Sequence, residues 1–477
     1  MNDPTTALPP HLARYGAVLE DADAFAEALF RPLPQTLFTN GTRLTPDRLV
    51  ELTDGAMTLT PLDWRPGAFR LDVDDRPGRH WSFTSGLYTV QEEASLLPVA
   101  MLDVQPGHRA LDLCAAPGNK TAQIALALGN RGTVIANDLK TGRLSALHDL
   151  VRRLGILNIS TTGHDGCVYP VADASFDRIL VDAPCTAEGK ARRGYVRDSS
   201  KNFRTWVRGQ QRSLLTRAIS LLRPGGRLVY STCTFAPEEN EAVVTDVLEA
   251  CEGMAHLVAP GAELPGASEG LRHWEGRAFP EEMRHARRLW PHLSDTGGFF
   301  AAAIEKRRDA GGASGDETAT PFHSATAPEG LEAQFDRFGL DASVRDALGH
   351  LLDDRHLRGI ARDHAPPAGV RFENCGLDLA RRRARETKLS TPAAMALGQA
   401  ARSNVVTLDA TEFDRWRARE SITLPAARVE DCTRGTVLIR AFGLVHGTAF
   451  LRQNDGGDWL LESQFPKAWM LGDLARP

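Results

Sequence analysis

The chain has 477 residues, of which 42% are apolar, and a formal net charge of −5 at pH 7. This length predicts more than one domain, and the apolar content is enough for a sizeable core, which excludes wholesale disorder. The charge excludes a strongly basic protein, so any nucleic-acid contact must rest on a local patch.

The distribution of cysteines and of apolar residues indicates the cellular compartment in which the protein works. The seven cysteines are scattered, with no CxxC pair and no Cys/His spacing typical of zinc, so we expect neither a disulfide framework nor a metal site. The N-terminus does not resemble a secretory signal, and no apolar run approaches the ~18 residues of a membrane helix. These features predict a reducing, cytoplasmic setting without membrane contact.

Residues 107–305 predict an alternation of short apolar strands and amphipathic helices. The predicted strands include 109–113, 133–137, 177–181, 227–232 and 297–304, and the predicted helices are 120–128, 142–154, 205–222 and 238–250. Alternation of this length is typical of an open, mostly parallel sheet with helices on both faces. We therefore predict an α/β domain, with bounds at 86–308.

The rest of the chain divides by composition. Residues 1–85 form an extension whose architecture the pattern does not define, and 309–328 are rich in Gly, Ala, Ser and Thr, as in a flexible linker. Residues 329–395 are expected to be a helical, basic connecting region. Short β-like runs at 405–408, 436–442, 448–451 and 459–462 predict a small β-rich domain at 396–477.

The segment Cys114-Ala115-Ala116-Pro117-Gly118-Asn119-Lys120 joins the first predicted strand to its helix. Small residues there let a ligand approach the backbone, and the lack of GxGxxG disfavours a dinucleotide. Asp138 ends the second strand and Asp165 follows the third, where a carboxylate can bind ribose hydroxyls or an adenine amine. Each aspartate alone is better explained as a turn former. Together they resemble the cofactor edge of a class I methyltransferase sheet.

Two cysteines follow the ends of the next two strands. Cys185 follows Asp182-Ala183-Pro184, and Cys233 lies in Ser231-Thr232-Cys233-Thr234. A free cysteine is usually a small buried apolar residue, but two at adjacent strand ends beside a carboxylate predict a nucleophile. A thiolate that adds to carbon 6 of cytosine makes carbon 5 nucleophilic, and Asp182 can accept from the edge of the base. The residues alone do not decide which cysteine attacks.

Residues 190–227 carry eleven Lys and Arg and a single acid, with Phe203 and Trp206 between them. Such a run is usually a solvated helix face. Because this one directly follows the Cys185 loop, we predict that it forms a groove for a phosphate backbone. The candidate contacts are Arg192, Arg193, Arg197, Lys201 and Arg204.

These motifs, in this order, resemble the Sun-type RNA cytosine-5 methyltransferases of the bacterial RsmB/RsmF type. The resemblance covers about 35–305, and its segments are the Asn40 region, 86–95, 113–121, 182–189, 221–234, 290–292 and 297–300. The pair formed by Asp-Ala-Pro-Cys and Ser-Thr-Cys-Thr is its most specific element. Residues 396–477 resemble the PUA-like RNA-binding tail of the RsmF branch.

The resemblance implies a Rossmann-like, seven-stranded sheet that binds S-adenosylmethionine through 114–120, Asp138, Asp165 and Asp182. It implies that Cys233 is the nucleophile and that Cys185 assists release of the methylated base, with Asp182 and Lys120 completing the catalytic set. The expected protein is a cytoplasmic monomer that contacts RNA through 1–85 and 396–477.

Four functions stay open at this point. Modification of small-subunit ribosomal RNA is the first expectation, and modification of transfer RNA is the second. A non-catalytic RNA-binding factor for ribosome assembly is the chief alternative of another class, but Cys233 and Asp182 are both present. A nicotinamide-dependent oxidoreductase is disfavoured by the missing GxGxxG.

Overall fold

The computed structural model describes residues 8–195, 200–309, 323–324, 326–352, 356–381, 387–454 and 456–470. A ten-stranded mixed sheet is its central element. Neighbouring parallel strands follow the order Ile159–Thr162, Thr133–Asn137, Arg109–Asp112, Phe176–Asp182 and Leu222–Thr232. The sheet continues antiparallel with Phe299–Lys306 and Arg287–Leu289, and its short strands are Ala255–Leu257, Ser268–Glu269 and Phe372–Cys375. The predicted mostly parallel, seven-stranded core is thus present, with short strands added at its periphery.

Helices cover both faces of this sheet. Successive residues of a strand point to opposite faces, so each face has its own apolar cluster for the helices to cover. Ala110 and Leu180 pack in one apolar cluster, whereas Leu111 and Ile179 pack in the other. The covering helices are Asn119–Ala127, Leu144–Leu154, Lys201–Leu221 and Glu241–Ala250. The last begins three residues later than predicted; Glu239 lies before the helix and Glu241 in its first turn, and both are buried and bound by side chains.

The strand order reverses at one point of the parallel part. The chain moves outward from Arg109–Asp112 through Thr133–Asn137 to Ile159–Thr162, and then returns to Phe176–Asp182 on the other side. Open α/β sheets bind ligands outside the carboxyl ends of the strands at such a reversal. The fold therefore directs attention to the residues that follow Asp112 and Asp182.

The N-terminal region forms an antiparallel sheet in the order Leu59–Pro61, Ala68–Leu71, Thr36–Thr39 and Tyr88–Gln91. Its helices are Ala22–Ala28, Pro46–Thr53 and Trp81–Thr84, and Leu97–Leu102 leads into the catalytic sheet. The sequence did not predict this architecture.

The region 329–395 differs from the expectation of a helical segment. Helices Glu329–Phe338, Ala342–Asp346 and Thr391–Leu397 flank a sheet with the order Leu348–Leu352, His356–Ala361, Leu377–Arg381 and Lys388–Leu389. The helical prediction was wrong for these strands because buried residues such as Leu377 and Leu379 alternate with period two over runs too short to be recognised. Of the predicted linker, 310–322 and 325 lie outside the described residues.

The predicted β-rich C-terminal region contains a five-stranded sheet, with helix Ala410–Arg417 packed on it. The strands follow the order Val405–Thr407, Gly435–Ala441, Leu444–Gln453, Trp459–Ser463 and Ser421–Leu424. Trp81 stacks on Phe442 with ring centroids 4.7 Å apart, and Ser85 Oγ lies 2.7 Å from His446 Nδ1. The C-terminal sheet therefore packs directly on the N-terminal region.

Candidate active site

The predicted loop 114–120 lies at the carboxyl edge of the sheet, before the helix Asn119–Ala127. Gly118 has φ 115°, and a Cβ there would lie 2.5 Å from Leu147 Cδ1. Glycine is needed because both the left-handed backbone and the approach to the next helix disfavour a side chain. The helix N-terminus is thereby held at the site, where it favours a negatively charged ligand group.

Asp112, which ends the first strand, was not among the predicted site residues. Its carboxylate is buried; Oδ2 accepts a hydrogen bond from Thr121 at 2.7 Å, and Oδ1 has no hydrogen-bond partner among the described residues. Burial raises the pKa of Asp112 to about 7. An unpartnered carboxylate oxygen beside the loop fits a pocket that receives a donor or a positive charge from a ligand.

The structure brings Asp138 to the same edge and gives it local partners. Its Oδ2 accepts from the Ala116 N–H and from Arg143, each at 3.2 Å, and Oδ1 accepts from the Lys140 N–H at 3.0 Å. Asp165 accepts from the Cys167 N–H at 2.9 Å. Both aspartates therefore shape their turns, and Asp138 also supports the cofactor loop.

Two exposed aliphatic side chains at this edge were missed by the sequence analysis. Leu139 follows Asp138 and is 62% exposed, and Val168 follows Asp165 by three residues and is 72% exposed. Such exposure is unusual for aliphatic side chains but fits residues that flank a flat apolar ligand. For Leu139, the available signal was an apolar residue directly after a strand-end carboxylate; Val168 had no such signal.

Lys120 and Asp182 form an ion pair, with Lys120 Nζ 2.8 Å from Asp182 Oδ2. The second oxygen, Oδ1, accepts from Ser231 Oγ at 2.8 Å. Burial opposes the positive charge of Lys120, but Asp182 more than offsets this, so the pKa of the ammonium group is raised. The Asp182 side chain is still 30% exposed, and a ligand can therefore reach it.

The predicted cysteine pair is assembled, since Cys185 Sγ lies 3.4 Å from Cys233 Sγ. Both residues are half-buried. The hydrogen bond from Cys185 lowers the pKa of the Cys233 thiol against the opposing effect of burial, and Lys190 and Lys120 lower it further. The same bond and burial raise the pKa of Cys185. Cys233 is therefore the better thiolate and Cys185 the thiol donor.

Close backbone contacts hold the loops that carry these cysteines. The Gly189 N–H donates to the Cys233 carbonyl at 3.0 Å, and the Gly298 N–H donates to the Gly189 carbonyl at 2.9 Å. A Cβ on Gly189 would lie 2.1 Å from the Gly298 oxygen, so only glycine fits. Gln211 donates to the Pro184 carbonyl at 2.8 Å. The Cys185 loop is thus tied to three other segments.

Arg192 differs from its predicted role. Its side chain is only 1% exposed, and its guanidinium donates to the carbonyls of Arg31, Pro32 and Thr296 and to Asp295. The predicted phosphate contact does not fit a guanidinium that is buried and fully engaged. Arg192 instead joins the N-terminal segment to the loop before Phe299–Lys306.

The other candidate RNA contacts are more accessible. The side chain of Arg193 is 51% exposed and forms a single ion pair, with Glu92 at 2.9 Å. Lys201 and Arg204 are exposed in the first turns of Lys201–Leu221. Arg197 lies outside the described residues.

Several arginines in the later part of the basic run form ion pairs with carboxylates of the same protein. The ion pairs there are Arg212 with Asp246, Arg217 with Asp173, Arg223 with Asp177 and Arg227 with Glu305. Trp206, in the first half of the helix, is 56% exposed. The part of this run that fits the predicted phosphate contact is therefore the beginning of the helix and not the whole of 190–227.

The sheet order and the loop at its reversal define a class I S-adenosylmethionine-dependent methyltransferase. A sequence model of the family described as 16S rRNA methyltransferase RsmB/F matches residues 99–305. The ribosomal RNA small subunit methyltransferase F of Salmonella schwarzengrund (strain CVM19633) is 34% identical over 431 residues, which are 85% of this chain and 86% of that protein. The chain belongs to the RsmB/F family of methyltransferases, as its motifs predicted.

Other relatives agree with this assignment. The tRNA (cytosine(49)-C(5))-methyltransferase of Pyrococcus abyssi (strain GE5 / Orsay) is 35% identical over 61% of this chain and 94% of its own. A methyltransferase homolog from Pyrococcus horikoshii has a TM-score of 0.55 and 32% identity, covering 62% of this chain and 93% of that one. NSun6 from Pyrococcus horikoshii, solved with SFG, has a TM-score of 0.51 at 21% identity over 63% and 97% of the two chains, and shows the fold alone. The predicted enzyme class, fold and S-adenosylmethionine cofactor are confirmed.

No helix in the described part of the chain combines the length and apolar character needed to cross a membrane. Within the same residues, no group of three or more His, Cys, Asp or Glu side chains could hold a metal ion.

Proposed function

We propose that this protein methylates carbon 5 of cytosine in small-subunit ribosomal RNA, through a covalent adduct on Cys233. The observation that carries the proposal is the thiol pair Cys185–Cys233 at 3.4 Å, next to the Lys120–Asp182 ion pair at the reversal of the sheet. A cytosine cannot react at carbon 5 unless a nucleophile first adds to carbon 6. A low-pKa thiol beside a carboxylate supplies that chemistry.

The reaction begins when the Cys233 thiolate adds to carbon 6 of a cytosine extruded into the cleft. Asp182 accepts from the amine or the protonated ring nitrogen of the base, and the ion pair with Lys120 holds this carboxylate in place. After carbon 5 has gained the methyl group, its proton must leave before the carbon–sulfur bond can break. Once Cys233 is bonded to carbon 6, Cys185 no longer donates to a thiolate; after passing its own proton to solvent, the Cys185 thiolate takes up the carbon-5 proton, and the electron pair of the broken carbon–hydrogen bond forms the carbon 5–carbon 6 double bond and expels the Cys233 thiolate.

The residues at the sheet edge fit S-adenosylmethionine, which supplies an electrophilic methyl group when it is bound. Residues 114–120 and the helix N-terminus would hold its charged amino-acid part, with the unpartnered Asp112 oxygen accepting from its amine. Asp138 would accept from the ribose hydroxyls, and Asp165 from the adenine amine. Exposed Leu139 and Val168 would cover the faces of the adenine ring.

RNA contacts are proposed at three places. Arg193, Lys201 and Arg204 are exposed cations near the Cys185 loop and suit phosphate groups. The N-terminal extension 1–85 and the PUA-like region 396–477 would bind flanking RNA. Their direct packing through Trp81 and Phe442 supports one continuous binding surface. We further propose that the enzyme works as a monomer in the cytoplasm.

The extent of the alignments favours ribosomal RNA as the substrate. The relative named for ribosomal RNA aligns with 85% of this chain, whereas the relative named for transfer RNA aligns with 61%. The C-terminal part of the chain therefore has a counterpart in the first relative. Transfer RNA is the second candidate, because the transfer-RNA relative matches over 94% of its own length.

Bisulfite sequencing of total RNA tests the substrate. A strain lacking the protein should lose methylation at one or more cytosines of small-subunit ribosomal RNA, and a plasmid encoding the wild type, but not Cys233→Ala, should restore it. Loss confined to transfer RNA would reassign the substrate. Unchanged methylation throughout would favour a non-catalytic RNA-binding factor.

A further inference from the structure

The residue after each cysteine is a buried threonine, and the two threonines meet. Thr186 follows Cys185, and Thr234 follows Cys233; they are 1% and 0% exposed. Their Oγ1 atoms lie 2.8 Å apart. A hydrogen bond thus joins the two loops one residue away from each sulfur.

Glu239 anchors this pair from the side of Thr186. Its Oε1 lies 2.6 Å from Thr186 Oγ1, and its Oε2 accepts from the Thr186 N–H at 3.0 Å and from Gln211 Nε2 at 2.9 Å. Gln211 also donates to the Pro184 carbonyl. Glu239 and Gln211 therefore fix the residues on both sides of Cys185.

Glu188 binds the threonine pair from the side of Thr234. Thr234 Oγ1 lies 3.1 Å from Glu188 Oε2, which also accepts from the Tyr15 hydroxyl at 2.5 Å. The chain from Tyr15 to Glu239 has four oxygen–oxygen contacts but only three hydroxyl protons. Thr186 donates to Glu239 Oε1 and Tyr15 donates to Glu188 Oε2, so the single Thr234 proton is shared between Thr186 and Glu188, while Glu239 Oε2 accepts both N–H groups.

Glu239 is held by neutral donors in buried surroundings. Its side chain is buried, and burial raises its pKa, with Glu188 acting in the same direction against the neutral donors of Thr186 and Gln211. No cation forms an ion pair with Glu239 among the described residues. Thr186 and Gln211 therefore supply the side-chain hydrogen bonds that hold this carboxyl group beside the Cys185 loop.

We propose that Thr186 and Thr234, anchored on Glu239, are positioning residues that set the separation of Cys185 and Cys233. The proposal rests on the roles proposed above for the two cysteines. All three side chains are buried, so their effect on the reaction passes through the sulfur atoms. If the hydroxyl bond is lost, the loops separate, and the Cys185 hydrogen bond to Cys233 weakens.

The test uses two pairs of variants. Thr186→Val and Thr234→Val keep the shape of the side chain but lose the hydroxyl group, whereas Thr186→Ser and Thr234→Ser keep the hydroxyl group. We expect kcat of each valine variant to fall about 10- to 100-fold, with KM for RNA unchanged, because misplacement of reacting groups affects the chemical step. The pH midpoint for alkylation of Cys233 by iodoacetamide should rise. Both serine variants should retain nearly wild-type values.

Thr133→Val is the matched control. Thr133 is 2% exposed, and its hydroxyl accepts from the Ala365 N–H at 2.8 Å, at the amino end of a strand in the same sheet. It should leave kcat and the alkylation midpoint unchanged. Measurements of Tm and of S-adenosylmethionine binding by calorimetry show which variants remain folded. If only one of the two valine variants folds, that variant is enough for the test.

Glu239→Gln and Glu239→Leu test the anchor. A glutamine keeps hydrogen-bonding groups at both positions, since its oxygen can accept both N–H donors and its NH₂ can donate to Thr186 Oγ1, so it should retain more activity than leucine, which should behave like Thr186→Val. If folded Glu239→Leu keeps the wild-type kcat and alkylation midpoint, the anchoring role of Glu239 is refuted. If folded valine variants keep wild-type kcat and alkylation midpoints, the positioning role is refuted. Methyl transfer by Cys233→Ala would instead refute the proposed function.

Discussion

Replacing Arg192 by alanine tests the difference between its predicted and observed positions. The change leaves the carbonyls of Arg31, Pro32 and Thr296 without this donor and removes one of two arginine partners of Asp295, which keeps Arg70 at 3.4 Å. Losing one member of a buried ion pair typically costs about 3–5 kcal/mol. Because Asp295 is 42% exposed and water can hydrate it, we expect the lower end, about 3 kcal/mol. For a domain of this size that lowers Tm by about 6–12 °C.

Thermal unfolding of Arg192→Ala and Arg193→Ala checks this expectation with two adjacent arginines. Arg193 is 51% exposed and forms one surface ion pair, worth about 0–1 kcal/mol. Its replacement should leave Tm nearly unchanged and weaken RNA binding slightly. Arg192→Ala should lower Tm, while the salt dependence of RNA binding stays that of the wild type. An unchanged Tm together with a flatter salt dependence would refute the structural role of Arg192.

Three further predictions concern the site. Cys185→Ala removes the bond that lowers the pKa of Cys233, so the alkylation midpoint of Cys233 should rise by about one pH unit; an unchanged or lower midpoint would contradict this. Asp138→Ala should weaken S-adenosylmethionine binding about tenfold or more, because two ribose hydrogen bonds are lost; equal affinity by calorimetry in the folded variant would remove Asp138 from the cofactor site. Lys201→Glu with Arg204→Glu should weaken binding of RNA of any sequence and flatten its salt dependence, whereas wild-type values would make the start of this helix a solvated surface only.

The features that could be predicted depend on residues close to one another in the sequence. Strand ends followed by Asp138 and Asp182 are recognisable because short apolar runs stop at polar residues, and parallel strands bring their carboxyl ends to one edge. The two cysteines were predicted to be close for the same reason, and they lie 3.4 Å apart. Residues placed by the end of a parallel strand could therefore be predicted from the sequence.

Features that depend on distant segments were not predictable in this way. Arg192 looked like part of a basic surface, but its partners lie near residues 31 and 296, and no local pattern records them. The charge of Arg217 is likewise cancelled by Asp173, 44 residues away. The strands between 348 and 381 are too short for their period to separate them from helix. In each case tertiary contacts, and not local propensity, decide the outcome.

Formation of a covalent RNA adduct by the cysteine variants tests the central claim most directly. Each variant is incubated with S-adenosylmethionine and small-subunit ribosomal RNA from a strain lacking the protein, then denatured and separated on a gel. Cys185→Ala should accumulate a denaturant-stable protein–RNA band, because attack by Cys233 continues while release of the methylated base is slowed. Cys233→Ala and the double variant should give no band and no methyl transfer. A band with Cys233→Ala alone would exchange the two roles, and full methyl transfer by both single variants would contradict the thiol mechanism.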